Sequence, residues 1–161
     1  MATIGDTVAA GRLVLFKPPD WEKRQPVRPL WATPELITWA DTTQALHDPV
    51  LGMGQRTRFE HLLQMFCDFR CSRRLHAGDI KRVMPTKNGV WKMHPFGLRI
   101  YGWAPEPNEF AAVTWATVEE TKVDKRLSDA KRKEVLAFLK ANGLRYCVTY
   151  GDVANVFPNT N

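Results

Sequence analysis

Apolar residues recur at helical spacing in one stretch of the chain and alternate with polar residues in a later one. The helical spacing predicts an amphipathic helix with an inward face made of Phe59, Leu62, Leu63, Phe66 and Phe69. The alternation predicts a meander of strands at 90–94, 98–103 and 110–118. A last helix, with Val135, Leu136, Phe138 and Leu139 facing inward, is expected to end at Asn142-Gly143.

Four further segments complete the predicted organisation. Residues 12–16 are predicted to form a short buried strand, and the proline-rich stretch at about 17–33 an irregular wrap. Thr33 as N-cap before Pro34 predicts a helix that stops before Pro49, and Ser128 is the expected N-cap of the last helix. An extra tail at about 144–161 contains a candidate strand at 146–150.

The composition is that of one globular domain spanning 1–161. The chain has 161 residues, 44% of them hydrophobic, and a formal net charge of +6, which favours polyanionic or acidic partners without requiring a nucleic acid. Neither a signal peptide nor an apolar run of membrane-spanning length is recognisable. Three cysteines suggest free thiols in a reducing compartment, so a soluble, cytoplasmic protein without membrane partners is expected.

The hairpin at 90–101 carries the most informative polar residues. Strand alternation places Lys92 and His94 on one face, and Arg99 and Tyr101 on one face of the next strand. If the turn brings these faces together, two cations, an imidazole and a phenol form a cluster that can hold a phosphodiester. The alternative is an ordinary surface hairpin whose charged residues are solvated.

The order strand, two helices, three-stranded meander and helix resembles the RelE/ParE toxin superfamily, in particular its phage-associated HigB-like branch. The resemblance covers about residues 57–142 and the first strand loosely. Its local matches are Gly89-Val90-Trp91-Lys92, Gly97-Leu98-Arg99-Ile100-Tyr101-Gly102, residues 110–117 and Lys122. It implies an α+β fold with a small antiparallel sheet and helices packed on one face. The insertion at about 17–33 and the tail at about 144–161 depart from the family.

The resemblance also implies an activity. Toxins of the RelE/HigB kind are mRNA interferases, which cleave mRNA at the ribosome by metal-independent attack of the ribose 2′-hydroxyl. An antitoxin protein neutralises them. Arg99 matches the phosphate-binding arginine. His94 is then assigned as base and Lys92 as electrostatic stabiliser, because a lysine base needs a pKa about three units below its usual value. Tyr101 would bond the phosphate or stack on a base, and no cofactor is implied.

Two further clusters each have two interpretations. Lys122, Lys125, Arg126 and Lys131 surround the start of the last helix, as an RNA-binding surface or as an exposed helix face with interleaved carboxylates. Cys67 and Cys71 lie four residues apart, and their spacing from His61 and His76 matches no common zinc motif, so core or surface thiols are favoured over a metal site.

Two functional alternatives remain beside the nuclease. One is a non-catalytic phage or mobile-element protein of the same fold that inhibits a host protein, as ParE-like toxins do. The wrap with Trp21 and Trp31 supports it, although these residues and Trp39 are more simply interpreted as packing the wrap onto the core. The other is a divergent relative without toxicity.

Overall fold

A mixed β-sheet organises the chain, of which the computed structural model describes residues 1–52, 54–71, 75–76, 78–84, 89–145 and 156–157. The strands are β1 (Val14–Leu15), β2 (Leu30–Ala32), β3 (Ile80–Arg82), β4 (Val90–Met93), β5 (Leu98–Trp103) and β6 (Phe110–Thr117). The helices are α1 (Ile4–Ala9), α2 (Pro34–Thr42), α3 (Gln44–His47), α4 (Arg58–Arg70), α5 (Val118–Val123) and α6 (Leu127–Ala141). The sheet order is β1-β2-β6-β5-β4-β3, so the fold is α+β.

The helices predicted from periodicity and caps are present, but the one predicted from Thr33 to before Pro49 is divided at Thr43 into α2 and α3. The Thr33 hydroxyl accepts a hydrogen bond from the Leu36 amide at the start of α2, with Pro34 in its first turn. At the start of α4, the Thr57 hydroxyl accepts from the Glu60 amide (3.1 Å) while the Glu60 carboxylate accepts from the Thr57 amide (2.6 Å). This reciprocal cap fixes the first turn of α4, which contributes to the candidate site.

The start of the last helix differs from the prediction. Arg126 is the N-cap of α6, whereas Ser128 lies within the helix and its hydroxyl is 2.9 Å from the Tyr101 hydroxyl. The serine therefore connects the helix to the sheet instead of capping it. The other end is as predicted, with Asn142 as C-cap and Gly143 in the left-handed region (φ +62°).

The proline-rich segment is not irregular throughout, because its last residues form a strand. β2 pairs in parallel with β6, with Leu30 opposite Phe110, and antiparallel with β1. The Leu30 side chain is completely buried. Three residues directly after Pro29 give too short a pattern to predict a strand, and their strand conformation comes from pairing with a segment 80 residues away. The sheet is consequently mixed instead of antiparallel.

The first strand is shorter and more exposed than predicted. β1 lies at the edge of the sheet, and Val14 and Leu15 keep 42% and 36% of their surface exposed. Leu13, which precedes it, is buried. The prediction of a buried strand at 12–16 is wrong because β2 occupies the position beside β6.

Helices cover both faces of the sheet, which corrects the expectation that they pack on one. Leu36 of α2 and Phe66 of α4 belong to the same core cluster as Ile100 of β5. Val135 of α6 belongs to a second cluster with Tyr101, the next residue of β5. Because successive residues of a strand point to opposite faces, these clusters lie on opposite sides of the sheet.

The tryptophans near the proline-rich segment divide between packing and exposure. Trp39 stacks on Trp115 with 4.8 Å between ring centroids, and Trp31 is half-buried against the cluster of α6. These two confirm the prediction of packing. Trp21 does not, because 54% of its surface is exposed.

Two further expectations concern the C-terminal tail and membrane-spanning helices. The candidate strand at 146–150 lies outside the described residues. In the part of the chain that is described, no helix has both the length and the apolar character needed to cross a bilayer.

Gly102 provides a test of the register between β5 and β6. A Cβ atom at this position would lie 2.0 Å from the Ala111 carbonyl oxygen, beside an irregularity in the strand pairing. Replacing Gly102 with Ala is expected to lower the free energy of unfolding by about 3 kcal/mol, since the backbone of β6 has to move. Denaturant unfolding measures this. Gly78→Ala is the control, because its Cβ meets nothing within 4 Å; equal effects of the two changes would contradict the register.

Candidate functional site

The pairing of β4 with β5 brings the predicted polar faces together. Lys92 lies opposite Tyr101 in the register, and Val90 opposite Trp103. The intervening residues Met93 and Ile100 pair on the other face, where they join the core beneath α4. The prediction of one shared face is confirmed for Lys92, Arg99 and Tyr101, whereas His94 follows the end of β4 and lies outside this register.

An open pocket of about 480 Å³ lies beside the turn between β4 and β5. We call it the cationic pocket; its functional walls are Arg58, His94, Gly97, Arg99, Glu119 and Lys122. Three basic side chains, Arg58, Arg99 and Lys122, thus face a single carboxylate among the described residues that line it. Such an excess of positive charge in a concave site suits an anion.

Arg99 is the half-buried cation of the pocket. One guanidinium nitrogen donates a 2.6 Å hydrogen bond to the Leu98 carbonyl, which orients the side chain. Burial lowers the pKa of Arg99, although an arginine stays protonated in proteins. Its remaining donors are suited to two oxygens of a phosphate.

Arg58 belongs to the pocket, a role that helical periodicity alone does not indicate. Its guanidinium forms a 2.7 Å ion pair with Glu119 of α5, which joins α4 to α5 across the pocket. The side chain passes so close to Gly97 that a Cβ atom there would lie 2.7 Å from the Arg58 Nε. Gly97 also has φ +73°, so the turn needs glycine for two reasons. The glycine after β4 is the sequence signal from which this close approach could have been found.

His94 is held at the junction of β4 and the turn. Its amide donates to the Asp79 carbonyl (2.8 Å). Its Nε2 atom is shielded from solvent and has no hydrogen-bond partner among the residues that the structure describes. Burial, followed by the charges of Arg99 and Lys92, lowers the pKa of His94 to about 3. The imidazole is therefore neutral near pH 7 and a weak base.

For Lys92, in contrast to His94, a lowered pKa favours a role as a base. Burial is the largest cause that lowers its pKa, and the charges of Arg99 and Lys81 lower it further. Lys81 lies opposite Lys92 in the pairing of β3 with β4. Sequence analysis missed this third cation because β3 was not predicted. A lysine with a lowered pKa can lose its proton more readily near neutral pH, which is the property a base requires.

Tyr101 lies beneath the site instead of in it. Its side chain is completely buried, and its hydroxyl is within hydrogen-bond distance (2.9 Å) of the Ser128 hydroxyl on α6. Burial raises the pKa of Tyr101. Tyr101 therefore cannot contact a phosphate or a base directly in this conformation, contrary to the expectation from the sequence. It lies opposite Lys92 in the strand pairing.

The second basic cluster is divided by the structure. Lys122 lines the cationic pocket, and Lys125 and Arg126 are exposed in the short link before α6. Lys131, in contrast, pairs with Glu134 (3.0 Å) and donates to the Thr114 hydroxyl (3.2 Å). Its charge is largely compensated, so Lys131 does not extend the pocket.

The thiols show no features of a metal site. Cys67 is completely buried, and burial raises its pKa to about 12. Burial also raises the pKa of Cys71, whose Sγ atom is 3.6 Å from the Arg24 carbonyl oxygen. Within the described ranges, no three His, Cys, Asp or Glu side chains form a group that could hold a metal ion.

Comparison with known proteins adds no relative to this picture. No protein-family model, curated protein or solved structure matches the chain. The geometry of the cationic pocket and the resemblance of its strands are therefore the grounds for a functional proposal.

The low pKa of His94 is directly measurable. An NMR titration of its ring protons, assigned by their loss in His94→Gln, is expected to show a midpoint near pH 3. Because the unfolded chain takes up this proton near pH 6.5, the free energy of unfolding should decrease as the pH falls from 6.5 towards 3, and less so in the variant. A midpoint near 6.5 would show that the ring is hydrated and not buried as described.

Proposed function

We propose that the protein is a metal-independent endoribonuclease of the RelE/ParE kind, which binds a phosphodiester of mRNA in the cationic pocket. The observation that carries the proposal is the convergence of Arg58, Arg99 and Lys122 on one open pocket. Lys92 does not line this pocket, but it is near enough to Arg99 for that charge to lower the lysine pKa. Three of the residues that carry the resemblance, Gly97, Arg99 and Lys122, line this pocket. The order of β4, β5, β6 and a following helix also agrees with the family's order.

The pocket supplies charge where the reaction needs it. When the 2′-oxygen attacks phosphorus, negative charge develops on the nonbridging phosphate oxygens, and the Arg99 guanidinium is placed to stabilise it. The bond between phosphorus and the 5′-oxygen then breaks. The exposed Lys122 ammonium is a candidate to donate the proton that the leaving oxygen takes up. The products are a 2′,3′-cyclic phosphate and a 5′-hydroxyl.

We assign the base to Lys92 instead of His94, which reverses the roles expected from the sequence. The His94 Nε2 atom is shielded from solvent, and its pKa of about 3 makes it a poor proton acceptor. The pKa of Lys92 is displaced downward by burial and by two neighbouring cations. His94 then contributes shape and a neutral wall to the site.

The partners follow from the same charge distribution. A ribosome-bound mRNA is the proposed substrate, and Lys125 and Arg126 are placed next to α5 to contact phosphates outside the pocket. A neutralising antitoxin is proposed to place an acidic segment over the cationic pocket. We propose the cytoplasm as the compartment, because the protein would meet mRNA, ribosomes and the antitoxin there.

A non-catalytic role has one specific observation in its favour. An apolar groove of about 420 Å³ lies between β1 and the helices α2 and α4, on the side of the sheet away from α6. Its lining includes Leu15, Ile37 and Phe59, and Trp21 is exposed elsewhere in the same wrap. Inhibition of a host protein through this groove would not depend on Arg99, so the variant below separates the two functions.

Replacing Arg99 with Ala is expected to reduce RNA cleavage by about 100- to 1,000-fold, because a preorganised donor to the developing charge is lost. Purified protein is incubated with ribosomes and mRNA in a buffer with the magnesium that keeps ribosomes assembled, and cleavage sites are mapped by primer extension. Arg12→Ala, an exposed arginine outside the pocket, is the charge-matched control. If expression of both variants still inhibits growth although RNA is not cleaved, inhibition of a host protein is favoured. If the wild type does not cleave RNA, the nuclease is rejected.

Lys92→Arg tests the choice of base. Arginine keeps the positive charge but cannot give up its proton, so cleavage should fall by about 100-fold or more, and the rise of wild-type activity with pH should be lost. The rate is measured over a range that spans neutral pH, from about pH 6 to about pH 9, and Lys92→Met is measured in parallel. If Lys92 only stabilises charge, the arginine variant will retain cleavage and only the methionine variant will lose it.

A further inference from the structure

A second cavity shares a wall with the cationic pocket. It has a volume of about 240 Å³ and lies between α4 and the turn after β4. We call it the base pocket; its walls include His61, Gln64, Asp79, His94, Pro95 and Phe96. His94, Pro95 and Phe96 line both pockets, so the two cavities are neighbours on either side of the turn.

Two imidazoles of the base pocket carry unsatisfied atoms. The Nε2 atoms of His61 and His94 are both shielded from solvent without a hydrogen-bond partner in the described part of the chain. Burial also lowers the pKa of His61, which favours the neutral ring. The two rings therefore give the base pocket uncharged walls, while their Nε2 atoms stay covered by the surrounding protein.

Phe96 offers a stacking surface at the junction of the two pockets. Its side chain is 40% exposed, so one part of the ring is open to a ligand. Its ring centroid is 5.2 Å from that of His61, at an interplanar angle of 44°. Exposed aromatic rings beside a cationic groove are the surfaces on which bases of single-stranded RNA stack.

We propose that the base pocket binds the nucleobase of the nucleotide whose phosphate occupies the cationic pocket. The proposal rests on the proposed function, whose substrate it specifies as an unstacked ribonucleotide. The cavity is smaller than the roughly 300 Å³ at which pockets for drug-sized ligands begin, which suits a single planar ring system. His61 and His94 belong to no potential metal-binding group among the described residues, so an organic ring is favoured over an ion.

The shared wall gives the proposal a physical consequence. Because Pro95 and Phe96 connect both pockets, a nucleotide can place its phosphate against Arg99 and its ring against Phe96 across one turn. Phosphate contacts then provide affinity without sequence information, while the base pocket provides discrimination between nucleotides. Asp79 and Gln64 are the wall residues able to contact the edge of a base.

The test compares ligands with and without a base. Binding of the four ribonucleoside 5′-monophosphates and of ribose 5-phosphate is measured by NMR titration in EDTA, with the His61 ring signals as a readout specific to the base pocket. At least one nucleotide is expected to bind about tenfold or more tightly than ribose 5-phosphate, and Phe96→Ala to remove this advantage. Because Phe96 also borders the cationic pocket, binding of ribose 5-phosphate to the variant is expected to fall by much less than binding of the nucleotide.

Trp21→Ala is the matched control, since Trp21 is another exposed aromatic residue and lines neither pocket. Equal loss of both ligands in Phe96→Ala, or the absence of any advantage from a base, would overturn the proposal. The two proposals fail separately. Base-dependent binding without RNA cleavage rejects the nuclease and keeps the base pocket, whereas cleavage without base-dependent binding rejects only the base pocket.

Discussion

Burial of the apolar face of the β4–β5 hairpin is the constraint on which the site depends. Met93, Leu98 and Ile100 are completely buried under the helices of one side. A shift of the pairing by one residue would turn these side chains outward and the cations inward, at a large cost in hydrophobic free energy. The register that keeps them buried therefore also fixes Lys92 and Arg99 on the opposite face.

That face brings positive charges from several strands together. Lys81, Lys92 and Arg99 come from three adjacent strands, and burial together with their mutual influence lowers the pKa values of Lys92 and His94. Like charges held together by a rigid sheet are relieved when an anion binds, so the folding free energy of the hairpin preorganises an anion site. Among the described residues that line the cationic pocket, the single carboxylate, that of Glu119, is engaged by Arg58.

The β1 end of the sheet borders apolar side chains instead of a cluster of cations. β2 joins the sheet in parallel with β6 and leaves β1 as an exposed edge beside an apolar groove. Consecutive residues of α4 line the two cavities, Arg58 the cationic pocket and Phe59 the groove, and the first cavity suits an anion while the second suits apolar groups. Helices on both faces allow the two surfaces to coexist, because each face of the sheet has its own core.

The sequence by itself determined the elements whose pattern is local. Periodicity and caps sufficed for α2, α4 and the meander, because helix and strand periods are set by the backbone, and alternation sufficed to place Lys92 with Arg99. Only the tertiary structure decided the strand pairing of Leu30–Ala32 and of Ile80–Arg82, the burial of Tyr101 beneath α6 and the passage of Arg58 over Gly97. These features depend on contacts between residues distant in the chain, and no local pattern encodes which distant segment a short strand or a long side chain will meet.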